Sequence, residues 1–191
     1  QNFSGDVQIR GTTFIKANTA TDNLAIGTEA GLTAQGNNTV AIGTEAGKTS
    51  QGANAIAVGS LAGRTSQGGQ AVAVGYLTGQ SEQGQNATAV GNQAGQTSQG
   101  AQSVAMGYNA GSNQQAASAV AVGSQAGETS QGGQATAVGH KAGESEQAGN
   151  AVAVGSSSGM TSQGAQAVAV GWQAGLTVQG ANTTAVGREA G

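Results

Sequence analysis

His140, Glu144 and Glu146 are close enough in the chain to suggest a metal ligand set or an acid/base pair. Gly43-Thr44-Glu45-Ala46-Gly47-Lys48-Thr49 has the residue types of a phosphate-cradling loop. Neither pattern survives a check on spacing. A phosphate loop needs four residues between its glycines and here there are three, while the slot of Lys48 is filled by Leu32, Arg64 and Gln80 in equivalent positions. The slots of His140, Glu144 and Glu146 hold Ser, Leu and Gln elsewhere in the chain, as on a solvated surface. With no cysteine and one histidine, Cys-based zinc sites, His clusters and disulfides are excluded, and the two aspartates, Asp6 and Asp22, cannot supply calcium loops. The sequence predicts no enzyme, no cofactor and no metal. Sequons at Asn2, Asn37, Asn86 and Asn182 occur at the rate expected by chance.

What has to be positioned, then, is a surface. The 191 residues include 35 glycines and no proline, with 3% aromatic and 8% charged side chains, so glycine is nearly three times as frequent as in an average protein. A net charge of -3 gives no electrostatic basis for a nucleic-acid partner. The 37% of hydrophobic residues argues against disorder, and the glycines lack a collagen-like phase. No apolar run reaches the twenty or so residues of a membrane helix, and Gln1-Asn2-Phe3 does not open a signal peptide, so direct membrane insertion is not expected. A start without Met and an end within the repeat read as a segment of something longer.

The repeat is strict. Gly27, Gly43, Gly59 and Gly75 begin a series that continues every 16 residues to Gly187, and a second glycine follows four later, from Gly31 to Gly191. Two residues before the first glycine stands Ala in every copy, from Ala25 to Ala185. The consensus is A-V-A-V-G-x-x-A-G-x-T-S-Q-G-x-Q; eleven copies span residues 22–191, the last cut short, after an N-terminal cap or connecting segment, 1–21. Within that segment Val7-Gln8-Ile9-Arg10 and Thr12-Thr13-Phe14-Ile15 alternate like strands.

A run such as Ala71-Val72-Ala73-Val74 suits a strand with two faces, the glycines suit turns, and Thr65-Ser66-Gln67 suits a second short strand. Glycines every four or five residues disfavour helix, at about 1 kcal/mol each. If each copy is one coil, like residues stack about 4.8 Å apart into a rod roughly 50 Å long. The expected fold is all-β, a solenoid of 16-residue coils. Gln35, Gln51, Gln67, Gln83, Gln99, Gln131 and their equivalents would then form an amide ladder, with a Thr/Ser column at Thr33, Thr49, Thr65, Ser81 and Thr97 acting similarly or ordering water. The β-branched residues are expected to supply the core and the alanine face to lie against another backbone or another copy of the chain. Two β-branched residues per coil do not offset the ordering of sixteen, so homo-oligomerisation is expected.

Repeated A-[VI]-A-[VI]-G-x-x-A-G, with Ser103-Val104-Ala105-Met106-Gly107 coming nearest, resembles the S-V-A-I-G repeats of trimeric autotransporter adhesin heads over residues 22–191. Similar repeats occur in phage and viral fibre proteins. The resemblance implies a left-handed parallel β-roll, trimeric about a common axis, carried on a cell surface or a virion fibre, with a host-surface protein or glycan as partner. Family coils are often about 14 residues and less regular, and the chain shows no neck, stalk or membrane-anchor motif.

A longer period lies over the first. Tyr76, Tyr108, His140 and Trp172 share the slot after the first glycine at intervals of 32, while Ser60, Asn92, Ser124 and Ser156 fill it between them. Duplication of a two-coil unit explains this. Rings about 10 Å apart along one edge would make a stacking platform for a glycan or a partner, or would simply cover neighbouring glycines. The function expected is a non-enzymatic extracellular adhesive or structural fibre; the alternatives are a self-polymerising filament subunit, a phage or viral tail-fibre segment and, from the Thr column, an ice- or surface-binding solenoid.

Overall fold

The computed structural model describes residues 21–191 together with the backbone of two earlier strands, β1 (Val7–Ile9) and β2 (Thr12–Asn18). Among the described residues there is no helix. The chain winds into an all-β solenoid of about ten turns with sixteen residues per coil. One wall of each coil is a short strand that ends just before the first glycine, as in Val40–Ile42, Ile56–Val58 and Val72–Val74. These strands stack in parallel and in register, Val40 on Ile56, Ala41 on Ala57, Ile42 on Val58, and so on to Thr184–Val186. With β1, β2 and β3 (Asn23–Ile26) they form a sheet of 13 strands. The opposite wall is a parallel sheet of six strands, from Thr49–Gln51 to Thr129–Gln131, extended by single bridges from Thr33 to Gln179.

At the amino end the direction reverses. β2 runs antiparallel to β3, pairing Ile15 with Ile26 and Asn18 with Asn23, and β1 runs antiparallel to β2, so the free edge of β3 is occupied. Residues 1–6, 10–11 and 19–20 of the segment expected as a cap lie outside the described residues.

Two turns close each coil. Ala46 N–H donates to Gly43 C=O, with Glu45 at φ 56°, and Ala55 N–H donates to Gly52 C=O, with Asn54 at φ 60°. A positive φ confined to the third residue is the type II pattern. Gly43 itself sits at φ 126°, and a Cβ there would lie 2.6 Å from the carbonyl of Gly59 in the next coil. Both the conformation and the stacking therefore demand glycine in this column.

The structure inverts the expected faces. The alanines point inward: Ala41, Ala57, Ala73, Ala89, Ala105 and Ala121 are buried, with the column Ala46, Ala62, Ala94 and Ala110 packed against them. The β-branched residues Val72 and Val74 point outward and are only half-buried. The reason is the width of the coil. A Cβ on Gly47 would lie 3.3 Å from the Ala41 methyl and 2.4 Å from Oε1 of Gln51, so the interior holds methyl groups and one amide side chain and nothing larger. The alanine face does lie against another backbone, that of its own coil. The alanine column is interrupted at Thr78 and Ser158, whose hydroxyls donate to the carbonyls of Gly91 and Gly155 and so bury no unpaired polar group.

Candidate functional site

The second wall owes its shape to a residue in the left-handed region at its centre. Ser50, Ser66, Glu82 and Ser98 have φ of 57°, 54°, 57° and 53°, which bends the Thr-Ser-Gln segment so that register holds at the first and third residues but not the second. The bend turns the third residue inward. Gln51, Gln67, Gln83, Gln99, Gln115, Gln131, Gln147 and Gln163 are all buried.

Each buried amide donates to a carbonyl of the opposite wall, and most are tied in three directions. Gln131 Nε2 donates to Val120 C=O on the opposite wall at 2.8 Å, to Ala135 C=O at 3.5 Å, and to Oε1 of Gln147 one coil on at 3.1 Å. The amide-to-amide bonds run from Gln67 to Gln83 to Gln99, and again from Gln115 through Gln131, Gln147 and Gln163 to Gln179. The ladder is broken between Gln99 and Gln115, where Gln115 Oε1 is buried without a hydrogen-bond partner, as are those of Gln51 and Gln67. Gln35, in the first coil, stands off the ladder: its Nε2 donates to the Thr33 and Gly47 carbonyls at 2.8 Å each. In the neighbouring column Thr65 Oγ1 donates to Gln80 C=O at 3.1 Å, and Thr33 Oγ1 to Lys48 C=O at 3.4 Å, so these hydroxyls also join coil to coil.

The rings are outside. Tyr76, Tyr108 and Trp172 keep 50%, 52% and 43% of their surface exposed, and His140 is exposed in the same column. They follow, by two residues, the outward column Val74, Val90, Met106, Val122, Val138, Val154 and Val170, whose strict register places consecutive rings two coils apart. One coil beyond Trp172, in the same slot, the guanidinium carbon of Arg188 sits 4.8 Å from the centre of the Trp172 ring. That is a cation–π contact.

The residues with the look of chemistry go elsewhere. In the phosphate-loop look-alike, the N–H groups of Gly43, Glu45, Ala46, Gly47 and Thr49 all donate within the coil stack, so no run of adjacent N–H groups is left to cradle an anion. Lys48 is held by Glu29 at 2.5 Å and Glu45 at 3.2 Å, and Glu45 also meets Arg64 at 2.7 Å. Arg64 first and Lys48 second hold the Glu45 carboxyl below its ordinary range, and Glu29 first and Glu45 second push the Lys48 ammonium up. Glu144 pairs with Lys141 at 3.1 Å and Glu146 accepts from Ser162 Oγ at 2.9 Å, so neither is directed at His140. A cavity of about 190 Å³ lies beneath the first coil, lined by Leu24, Ala25, Gly31, Leu32, Gln35 and Ala41, far along the chain from the ring stripe.

No protein-family model matches the chain, and no curated protein or solved structure does.

The left-handed residues at Glu45, Ser50 and Asn54 are the feature that sequence reading misses. The last column carries a signal, in Asn38, Asn54, Asn86, Asn150 and Asn182, since asparagine tolerates positive φ, and the Glu45 column shows it once, at Asn109. Leu61 and Leu77, at φ 62° and 55°, carry none.

Proposed function

We propose that this chain is a non-enzymatic, extracellular rod that associates through its outward valine face into a trimer and presents its other surfaces for adhesion, on a cell or as part of a virion fibre. One observation carries the reading. The outer side of the 13-stranded sheet is two parallel columns of mainly β-branched apolar residues, beginning with Leu24 and Ile26 and repeated on every strand to Thr184 and Val186, and Ile56, Met106, Val138 and Val186 are exposed by 37%, 43%, 36% and 65%. A contiguous apolar patch of this length on a water-facing sheet is the mark of an interface. Three copies related by a threefold axis would bury the columns against one another and close the assembly. The resemblance of the repeats to adhesin heads supports the same architecture, with association moved from the alanine face to the valine face.

Light scattering of the purified chain tests it. A particle of three times the 18.2 kDa chain mass is expected, falling to a single chain when Val122 and Val154 are both replaced by lysine. A monodisperse single chain before any substitution overturns the reading, and an open-ended size distribution assigns the chain to a filament.

A further inference from the structure

The ring stripe is a row of slots, and the molecule fills one of them itself. Arg188 stands over Trp172 because the two share a column on adjacent coils, one rung apart. Each preceding rung between two rings carries instead a small side chain, Asn92, Ser124 or Ser156, and Tyr76 and Tyr108 keep 50% and 52% of their surface exposed. Ring faces beside Asn92 and Ser124 therefore stand in the same relation to an empty rung as Trp172 does to the rung of Arg188. One carboxylate beside the stripe agrees with a cationic occupant: Glu128 accepts from Nδ2 of Asn109, the residue that follows Tyr108, at 3.3 Å.

From this we propose that the stripe Tyr76, Tyr108, His140 and Trp172 binds an extended basic segment of a partner protein, one arginine or lysine side chain entering each interval between rings. The inference rests on the reading of the rod as a binding surface only in that the stripe must stay uncovered when copies associate. Spacing narrows the partner further. Rings recur every two coils, about 9.6 Å. Three residues of a polyproline II segment advance about 9.3 Å and return the side chain to the same side. The favoured occupant thus carries its cations three residues apart. Each contact is a ring-to-cation attraction between partly exposed groups, individually weak and useful only in series.

The probe is a synthetic peptide, acetyl-(Arg-Pro-Pro)4, titrated against the full chain by calorimetry and by the fluorescence of Trp172, the one tryptophan present. Binding is expected, with about a threefold to tenfold loss for Tyr108→Ser and a larger loss for Tyr76→Ser with Tyr108→Ser, while thermal unfolding stays unchanged. Arg188→Ser, which empties the occupied slot, is expected to hold or raise affinity. Binding that ignores the tyrosine substitutions, or that a peptide with arginines at every second residue matches, overturns the proposal. So does a cello-oligosaccharide that binds through the tyrosines when the peptide does not, which reassigns the stripe to glycan. Light scattering on the same samples separates this result from the fate of the trimer: a trimer without peptide binding sinks only the stripe, and peptide binding by a single chain sinks only the trimer.

Discussion

The two walls of the coil solve the same stacking problem by different means. The alanine wall pairs at three residues from each rung to the next and is determined by size: methyl groups inside, glycine where one coil's backbone meets the next. The glutamine wall pairs at two positions around a bent centre, falls to one between Thr97 and Asn113, breaks into single bridges toward both ends, and depends on a buried amide that reaches across to the alanine wall. Steric fit therefore holds one side and hydrogen bonding the other. The lesson is that a coil too narrow for a conventional core can still be specified, provided that its one large interior group is anchored by a hydrogen bond to the facing wall.

The contrast is sharpest where a methyl is added to the steric side. Gly123→Ala would put a Cβ 2.5 Å from the carbonyl of Gly139 at φ 130°, so a loss of about 3 kcal/mol or more in urea unfolding is expected, with hydrogen exchange rising first in the adjoining coils. Second comes the polar side. Gln131→Leu keeps bulk but strips the Val120 and Ala135 carbonyls of a donor and interrupts the ladder to Gln147, for an expected loss of about 2–3 kcal/mol. A neutral result there would mean that shape alone holds both walls. The smallest effect is reserved for Gly132→Ala. Its Cβ would also meet backbone, at 2.5 Å from Gly149 N, yet the same slot already holds Ala116 and Ala148, whose N–H groups reach the next coil at 2.9 Å where Gly132 reaches at 2.7 Å. A shift of a few tenths of an ångström accommodates the methyl, so the change should cost under about 1 kcal/mol, read from the same unfolding curves.

The period, the turn glycines, the two strands and the amide ladder were all legible, because a residue repeated at one interval in a stacked fold must satisfy itself against its own copies. The orientation of the walls was not. Placing the larger apolar residue inside is sound where two layers stand a full side chain apart, but coil width is set by the bends at Ser50 and the turn at Glu45, which no local preference announces. Once that width is known, Ala73 inside and Val74 outside follow at once. The ring column was legible as a column; that its members stand half-exposed, and that Arg188 fits beside Trp172, depends on which way the turn aims them, which residue type alone does not fix.

Because the bonds that join coil to coil lie along the rod, tension on its two ends would load every junction in series and equally. Such a body does not stretch gradually. It yields one coil at a time, each release paying out roughly 50 Å of chain, so that a rod anchored at one end and holding a moving surface at the other would lengthen in equal steps before it let go.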